Sequence, residues 1–84
     1  MPRKDIPLRI MSRNPKIRLE FRESRLKMDK TQKCMGIDLG MKESYIRLVE
    51  NGHLNPSLKR ILVFEKYFEI AADRLFPDLY NDVE

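Results

Sequence analysis

The chain has 84 residues, 36% of them charged, and a formal net charge of +4. This length gives room for one domain with a modest core, so a substrate cleft between two lobes is not expected. Because Cys34 is the single cysteine and His53 the single histidine, the composition excludes a Cys/His zinc site and a disulfide within the chain.

Charge is divided unevenly along the chain. Residues 1–33 carry eleven Lys/Arg and four Asp/Glu, whereas residues 34–84 carry six and nine. A basic half attracts a phosphate backbone, although a solvated basic surface explains the same asymmetry. The sequence contains no continuous apolar run typical of a secretory signal or a membrane span. With one cysteine, the protein is expected to be soluble and cytoplasmic.

The first predicted segment is a basic arm over residues 1–14. Its two prolines favour extended backbone, and 6–11 is a candidate short strand. Such a strand is one route to a dimer, through pairing with its copy in a second subunit. Asn14 as a cap, with Pro15 at the first helical position, then predicts a helix from about Pro15 to Met28.

Two short helices follow, separated by a glycine. Thr31 is the candidate cap of a helix over 32–39, which ends at Gly40. The next helix is predicted over 42–50 and ends at Asn51-Gly52, where glycine readily takes left-handed backbone. Two helices joined in this way form a helix-turn-helix unit. Seven positions carry the apolar or small residues that the unit needs: Met35, Gly36, Leu39, Gly40, Met41, Ile46 and Val49.

Two more helices are predicted in the last third of the chain. Asn55-Pro56 repeats the cap-plus-proline signal at the start of the fourth helix. The predicted inward face of that helix is mostly apolar and consists of Leu58, Ile61, Leu62, Glu65 and Phe68 or Tyr67. A last helix over 72–76 precedes an acidic tail over 77–84. The predicted organisation is therefore the arm, a helical domain over 15–76 with its helix-turn-helix unit at about 32–51, and the tail.

Over roughly residues 16–76 the sequence resembles the phage-repressor (Xre, Cro/cI-like) helix-turn-helix family. The matching segments are Phe21-Arg22-Glu23-Ser24-Arg25-Leu26, Thr31-Gln32, Ser44-Tyr45-Ile46, Val49-Glu50-Asn51-Gly52, Asn55-Pro56-Ser57-Leu58 and Asp73-Arg74-Leu75-Phe76. The resemblance implies an all-α, compact, five-helix, lambda-repressor-like DNA-binding domain. Its third helix would enter the major groove, and its second would rest on the phosphate backbone. A partly buried ion pair between Arg25 and Glu50 is implied as well.

The resemblance also implies which residues meet DNA. The base-facing residues would be Lys42, Glu43, Ser44, Arg47 and Leu48. The residues near phosphates would be Thr31, Gln32, Asn51 and His53. Side-chain chemistry favours Ser44 and Arg47 as base contacts, because a guanidinium donates to guanine and a hydroxyl bonds to most base edges.

Four residues depart from the family pattern at positions that are usually apolar, capping or glycine-like: Lys30, Lys42, Glu69 and Ala71. Lys42 stands where a Ser/Thr cap usually begins the third helix. It forgoes a cap worth about 1 kcal/mol and opposes the helix dipole. Either stability is lost at this position or Lys42 is retained for a contact, and a phosphate is the natural candidate for that contact.

The favoured function is sequence-specific binding of double-stranded DNA by a transcriptional regulator, a repressor acting as a homodimer. The alternative is a protein-interaction module of the same fold, such as an antitoxin or a repressor antagonist. Glu43 and Leu48 favour the alternative, because one repels phosphates and the other cannot hydrogen-bond. Catalysis is not expected, since the sequence has no nucleophile and base pair, metal set or phosphate-binding glycine loop. Neither a cofactor, a small-molecule ligand nor a membrane partner is expected.

Overall fold

The computed structural model describes residues 16–80, which hold six helices and no strand. The helices are α1 (Leu19–Lys27), α2 (Gln32–Leu39), α3 (Glu43–Glu50), α4 (Leu58–Phe68), α5 (Ala72–Leu75) and α6 (Pro77–Tyr80). The all-α class predicted from the sequence is confirmed for these residues, with one helix more than the five expected. The predicted arm over 1–14, its candidate strand over 6–11, and residues 81–84 of the tail lie outside the described residues.

The first helix begins at Leu19, so the prediction that residues 16–18 are helical is wrong. Arg18 has extended backbone, and its N–H donates to the Glu50 carbonyl oxygen at 2.8 Å. The Arg18 side chain is only 3% exposed. A tertiary contact therefore holds the chain extended where the local cap-and-proline signal predicted a helix.

The bounds predicted for α2 are confirmed, and so is its cap. Thr31 Oγ1 accepts a hydrogen bond from the Cys34 N–H at 3.0 Å, and Gly40 ends the helix with left-handed backbone at φ 69°. Gly36 is buried beside the α2–α3 turn, where a Cβ would lie 2.5 Å from the Met41 carbonyl oxygen. Only glycine therefore lets the turn approach α2 so closely. At the end of α3, Gly52 takes the predicted left-handed conformation, with φ 78°.

The start of α4 differs from its prediction. Ser57, and not Asn55, is the cap: its Oγ accepts from the Arg60 N–H at 3.3 Å. The Asn55 side chain is used elsewhere, because its Oδ1 accepts from Arg18 at 2.8 Å. Serine is as good a cap as asparagine, so the helix begins two residues later than predicted while Asn55 serves a tertiary contact.

The buried face of α4 also differs from its prediction. Ile61, Phe64 and Phe68 face the core, whereas Leu58 and Leu62 are 66% and 53% exposed. The sequence offers two apolar stripes on α4, and helical periodicity alone cannot tell which of them packs inward.

Aromatic packing joins the N-terminal and C-terminal helices. Phe21 on α1 meets Phe64, Phe68 and Phe76 edge to face, with ring centroids 5.1, 5.2 and 5.8 Å away. Each such pair contributes about 0.5–1.5 kcal/mol beyond area burial. The full core consists of Phe21, Met35, Ile46, Val49, Ile61, Phe64, Phe68, Ala72, Leu75 and Phe76. Both α2 and α3 are thus anchored to one core that α1, α4 and α5 complete.

The last described residues are helical where an acidic tail was predicted. In α6, Leu79 packs against the core, and the Asp78 carboxylate accepts from Arg18. The predicted helix over 72–76 is α5, which ends at Leu75. Ala71 cannot cap α5, and the Glu65 carboxylate replaces the cap by accepting from the Ala72 N–H at 3.0 Å.

Glu69 ends α4 in left-handed backbone, with φ 58° and ψ 43°. A residue with a Cβ is strained there by about 1–2 kcal/mol, whereas glycine is not. Glu69→Gly is therefore expected to raise the free energy of unfolding by about 0.5–1 kcal/mol, after the entropy that glycine adds to the unfolded chain. Urea denaturation measures this change. Glu69→Gln, which keeps the Cβ and removes the charge, should leave stability unchanged, and a less stable glycine variant would contradict the prediction.

Candidate functional site

The five residues predicted to face bases lie at the start and along one side of α3. All of them are exposed: Lys42, Glu43, Ser44, Arg47 and Leu48. The opposite side of α3 is buried through Ile46, Val49 and Glu50. Positions four residues apart share one face of a helix, which places Glu43 beside Arg47 and Ser44 beside Leu48, so these exposed side chains form one continuous stripe.

The beginning of α3 combines a helix N-terminus with a cation. Lys42 is the N-cap residue, with extended backbone at φ −73° and ψ 147°. Its ammonium cannot accept a hydrogen bond from the first α3 amides. A serine or threonine hydroxyl at this position would accept one. Glu43 in the first turn complements the helix dipole. The first amides of α3, which no side chain caps, and the lysine together favour an anion at this end of α3.

An ion pair between Arg25 and Glu50, implied by the resemblance, joins α1 to the end of α3. Arg25 donates through Nε to Glu50 Oε1 at 2.7 Å and through its terminal nitrogen to Oε2 at 3.0 Å. Glu50 is completely buried. Burial raises the pKa of Glu50, but the hydrogen bonds from Arg25 and Arg22 outweigh it, so that its pKa lies below the usual 4.5. The carboxylate therefore stays ionised inside the fold.

Arg22 is part of this network and was missed at the sequence level. Its Nε donates to Glu50 Oε2 at 3.0 Å, and a terminal nitrogen donates to Asn51 Oδ1 at 3.3 Å. The available signal was the three-residue spacing of Arg22 and Arg25, which puts both on one face of α1. Gln32 on α2 also contributes to lowering the pKa of Glu50.

The residues predicted to contact phosphates lie at the two ends of the hydrogen-bond network formed by Arg25 and Glu50. Arg25 also donates to the Lys30 carbonyl oxygen at 2.7 Å, directly before Thr31 at the start of α2. Glu50 directly precedes Asn51, which is half-buried, as is His53. One buried arginine thus links the start of α2 with the end of α3. The Asn51 side chain already accepts one hydrogen bond inside the protein, from Arg22.

Lys30, just before α2, has a partner on that helix. Its Nζ lies 3.0 Å from Asp38 Oδ2, and the Tyr67 hydroxyl donates to the same oxygen at 2.6 Å. The hydrogen bonds from Tyr67 and Lys30 hold the pKa of Asp38 below its usual value. Burial, followed by the contact with Asp38, raises the pKa of Tyr67 to about 12. An ionic contact therefore joins Lys30 to α2, and the hydrogen bond from Tyr67 ties α4 to α2.

Arg18 is a second structural residue that the sequence did not reveal. Its side chain gives five hydrogen bonds to the α3–α4 segment and to α6, namely to the Val49 and Leu54 carbonyl oxygens, to Asn55 Oδ1 and to both oxygens of Asp78. Nothing in a chain region rich in arginine and lysine distinguishes this one as buried. It holds the segment that follows α3 against the rest of the domain.

The described part of the chain shows neither a candidate metal site nor a candidate membrane-spanning helix. Among residues 16–80, no group of three or more His, Cys, Asp or Glu side chains is arranged to hold a metal ion. Over the same residues, every helix is too short or too polar to cross a membrane. Comparisons with protein-family models, with curated proteins and with solved structures find no significant match to this chain. Its function is therefore inferred from its own side chains and their geometry.

Proposed function

We propose that this protein binds duplex DNA sequence-specifically, with α3 in the major groove, and regulates transcription. The observation that carries the proposal is the exposed stripe on α3, whose opposite side is anchored in the core. Arg47 offers a guanidinium to guanine or to a phosphate, and Ser44 offers a hydroxyl to most base edges. The major groove is wide enough to admit an α-helix.

Backbone contacts would fix the orientation of α3 in the groove. Candidates flank it on both sides: Thr31 and Gln32 at the start of α2, and Asn51 and His53 after α3. The Arg25 bridge between these segments supports the proposal, because contacts on one rigid frame set the register on the phosphates. The excess of positive charge in residues 1–33 adds attraction to any sequence.

A homodimer on a two-fold related operator fits this mode of binding best. Because α3 has two turns, one copy reads few base pairs. A second copy on a half-site about 34 Å away adds the specificity that a single copy lacks. Occupying a promoter in this way would repress transcription sterically.

A protein-interaction module of the antitoxin or repressor-antagonist type is the second candidate function. It is favoured by Glu43 and by Leu48, which is 37% exposed on the same stripe. A carboxylate repels phosphates, and a leucine offers only an apolar contact, so both suit a protein partner better than a base pair.

Selection of binding sites from a random-sequence duplex library separates the two candidates. The full chain is expected to enrich one motif whose two halves are related by two-fold symmetry. A parallel selection without protein controls for amplification bias. If the recovered duplexes have the same composition as the input library, DNA reading is rejected and the protein-interaction module becomes the leading candidate.

Lys42→Ser is expected to change stability and DNA affinity in opposite directions. Serine caps α3 and should raise the free energy of unfolding by about 1 kcal/mol. The loss of one phosphate contact should weaken duplex binding and reduce the slope of log affinity against log salt by about 1. Urea denaturation and fluorescence anisotropy measure the two effects. Lys66→Ser, on α4, removes the same charge as a control, and an unchanged slope for Lys42→Ser would rule out a phosphate contact.

A further inference from the structure

The outward face of α4 carries only apolar and basic side chains. The exposed residues between positions 58 and 66, here called the α4 outer face, are Leu58, Lys59, Arg60, Leu62, Val63 and Lys66. Leu58 and Leu62 stand one helical turn apart and are 66% and 53% exposed. Glu65 is half-buried and bonded to the start of α5, so it does not offset the positive charge of this face.

A shallow groove borders the α4 outer face. It lies between the α2–α3 turn and the first turns of α4, has a volume of about 270 Å³, and is lined by Leu39, Gly40, Met41, Ser57, Lys59, Arg60 and Val63. The Arg60 guanidinium lies over the Tyr45 ring, 4.7 Å from its centroid, which holds this cation beside the groove. Small-molecule pockets usually have about 300–1,000 Å³, so the groove is better suited to one or two apolar side chains.

We propose that the α4 outer face binds an acidic amphipathic segment of another protein. Apolar side chains of the partner would cover Leu58, Leu62 and Val63, one of them entering the groove. Its carboxylates would pair with Lys59, Arg60 and Lys66. This site is separate from the α3 stripe and does not depend on DNA binding.

Charge selects this partner over a second copy of the same face. Pairing α4 with α4 about a two-fold axis would bring the cations of both copies together, and that repulsion opposes a dimer there. Duplex DNA would satisfy the cations but would leave Leu58 and Leu62 without an apolar partner.

The exposed leucines of α1, unlike those of the α4 outer face, are surrounded by charges of both signs. Leu19 and Leu26 are 61% and 57% exposed, and Glu23 and Lys27 stand exposed beside them. Because both signs of charge are present, the α1 face has no preference for an acidic or a basic partner. It therefore provides a matched control for the loss of exposed leucines.

The test uses a fluorescein-labelled peptide of leucine and glutamate, with leucines at helical spacing, and a second peptide of the same composition in scrambled order. Each is titrated with the full chain, and anisotropy is recorded. The protein is expected to bind the amphipathic peptide about tenfold tighter than the scramble, which corresponds to burial of about one leucine. Leu58→Ser/Leu62→Ser should remove this preference. Leu19→Ser/Leu26→Ser should keep it.

Three outcomes would overturn the proposal. The first is equal peptide affinity of the wild type and Leu58→Ser/Leu62→Ser, with both folded by circular dichroism. The second is a wild-type dimer in sedimentation that the same variant dissociates, since a second copy would then cover the face. The third is loss of duplex binding in that variant with peptide binding intact. The peptide titration contains no DNA, so failure of the proposed DNA recognition cannot be mistaken for failure of this inference.

Discussion

Glu50→Ala is expected to lower the free energy of unfolding by about 3–5 kcal/mol, the usual cost of breaking a buried ion pair from one side. The substitution leaves the Arg25 guanidinium buried without its bidentate partner and removes an acceptor from Arg22. A domain of this size has a total stability of about 4–12 kcal/mol, so the loss is a large share of it. Urea denaturation measures the change.

Two comparisons make this prediction specific. Glu43→Ala, an exposed acid at the start of the same helix, should change stability by no more than about 0.5 kcal/mol. Because the folded pKa of Glu50 lies below its ordinary value of 4.5, its ionic contribution is present above pH 4.5 and is lost as the pH falls through the folded pKa. The difference between wild type and Glu50→Gln should therefore shrink in acid. A difference that is the same at pH 3 and at pH 7 would contradict this role for Glu50.

Arg18→Ala is expected to lower the free energy of unfolding by about 3 kcal/mol or more, because it leaves several buried acceptors without a donor. The variant loses the hydrogen bonds to the Val49 and Leu54 carbonyl oxygens and the stacking of the guanidinium on Phe76, 5.1 Å from the ring centroid. It also frees Asp78 and thereby α6. Thermal and urea unfolding report the loss, and hydrogen exchange should show α6 opening before α3.

The matched control for Arg18 is Arg74→Ala. Arg74 also pairs with an acid, Glu20 at 2.6 Å, but its side chain is 62% exposed. An exposed pair contributes at most about 1 kcal/mol. Arg18→Lys should recover only part of the loss, since an ammonium cannot reproduce the planar fork of donors. If Arg18→Ala and Arg74→Ala lower the free energy of unfolding by the same amount, the buried hydrogen bonds of Arg18 contribute little to stability.

The elements predicted well from the sequence are those whose signals are local. The cap at Thr31 and the glycine at position 40 bound α2, and both act within one turn of the chain. The missed features depend on distant partners. The Arg18 side chain binds Asn55 and Asp78, 37 and 60 positions away, and its use of Asn55 moves the cap of α4 to Ser57. The Arg18 backbone N–H binds the Glu50 carbonyl oxygen, and this contact precedes the start of α1. No local propensity contains that information.

The candidate site follows the same division. Helical spacing is enough to bring Glu43, Ser44, Arg47 and Leu48 onto one exposed stripe that begins at Lys42. The roles of these residues toward DNA stay predictions. The contacts of Arg22 and Asn51 with the Glu50 network required coordinates, because they depend on how α1 crosses the end of α3. Coordinates were also needed to tell which apolar stripe of α4 is buried, since Leu58 and Leu62 are as apolar as the residues that face inward.

The most direct test of DNA recognition is an anisotropy titration of the selected duplex and of a scrambled duplex of equal composition, at several salt concentrations. Wild type is expected to bind the selected duplex at least about 10³-fold tighter, with a steep salt dependence. Arg47→Ala, an exposed substitution, should lose that ratio while keeping its free energy of unfolding. Equal, weak binding of both duplexes, unchanged by Arg47→Ala, would contradict recognition by α3 and direct the search to a protein partner.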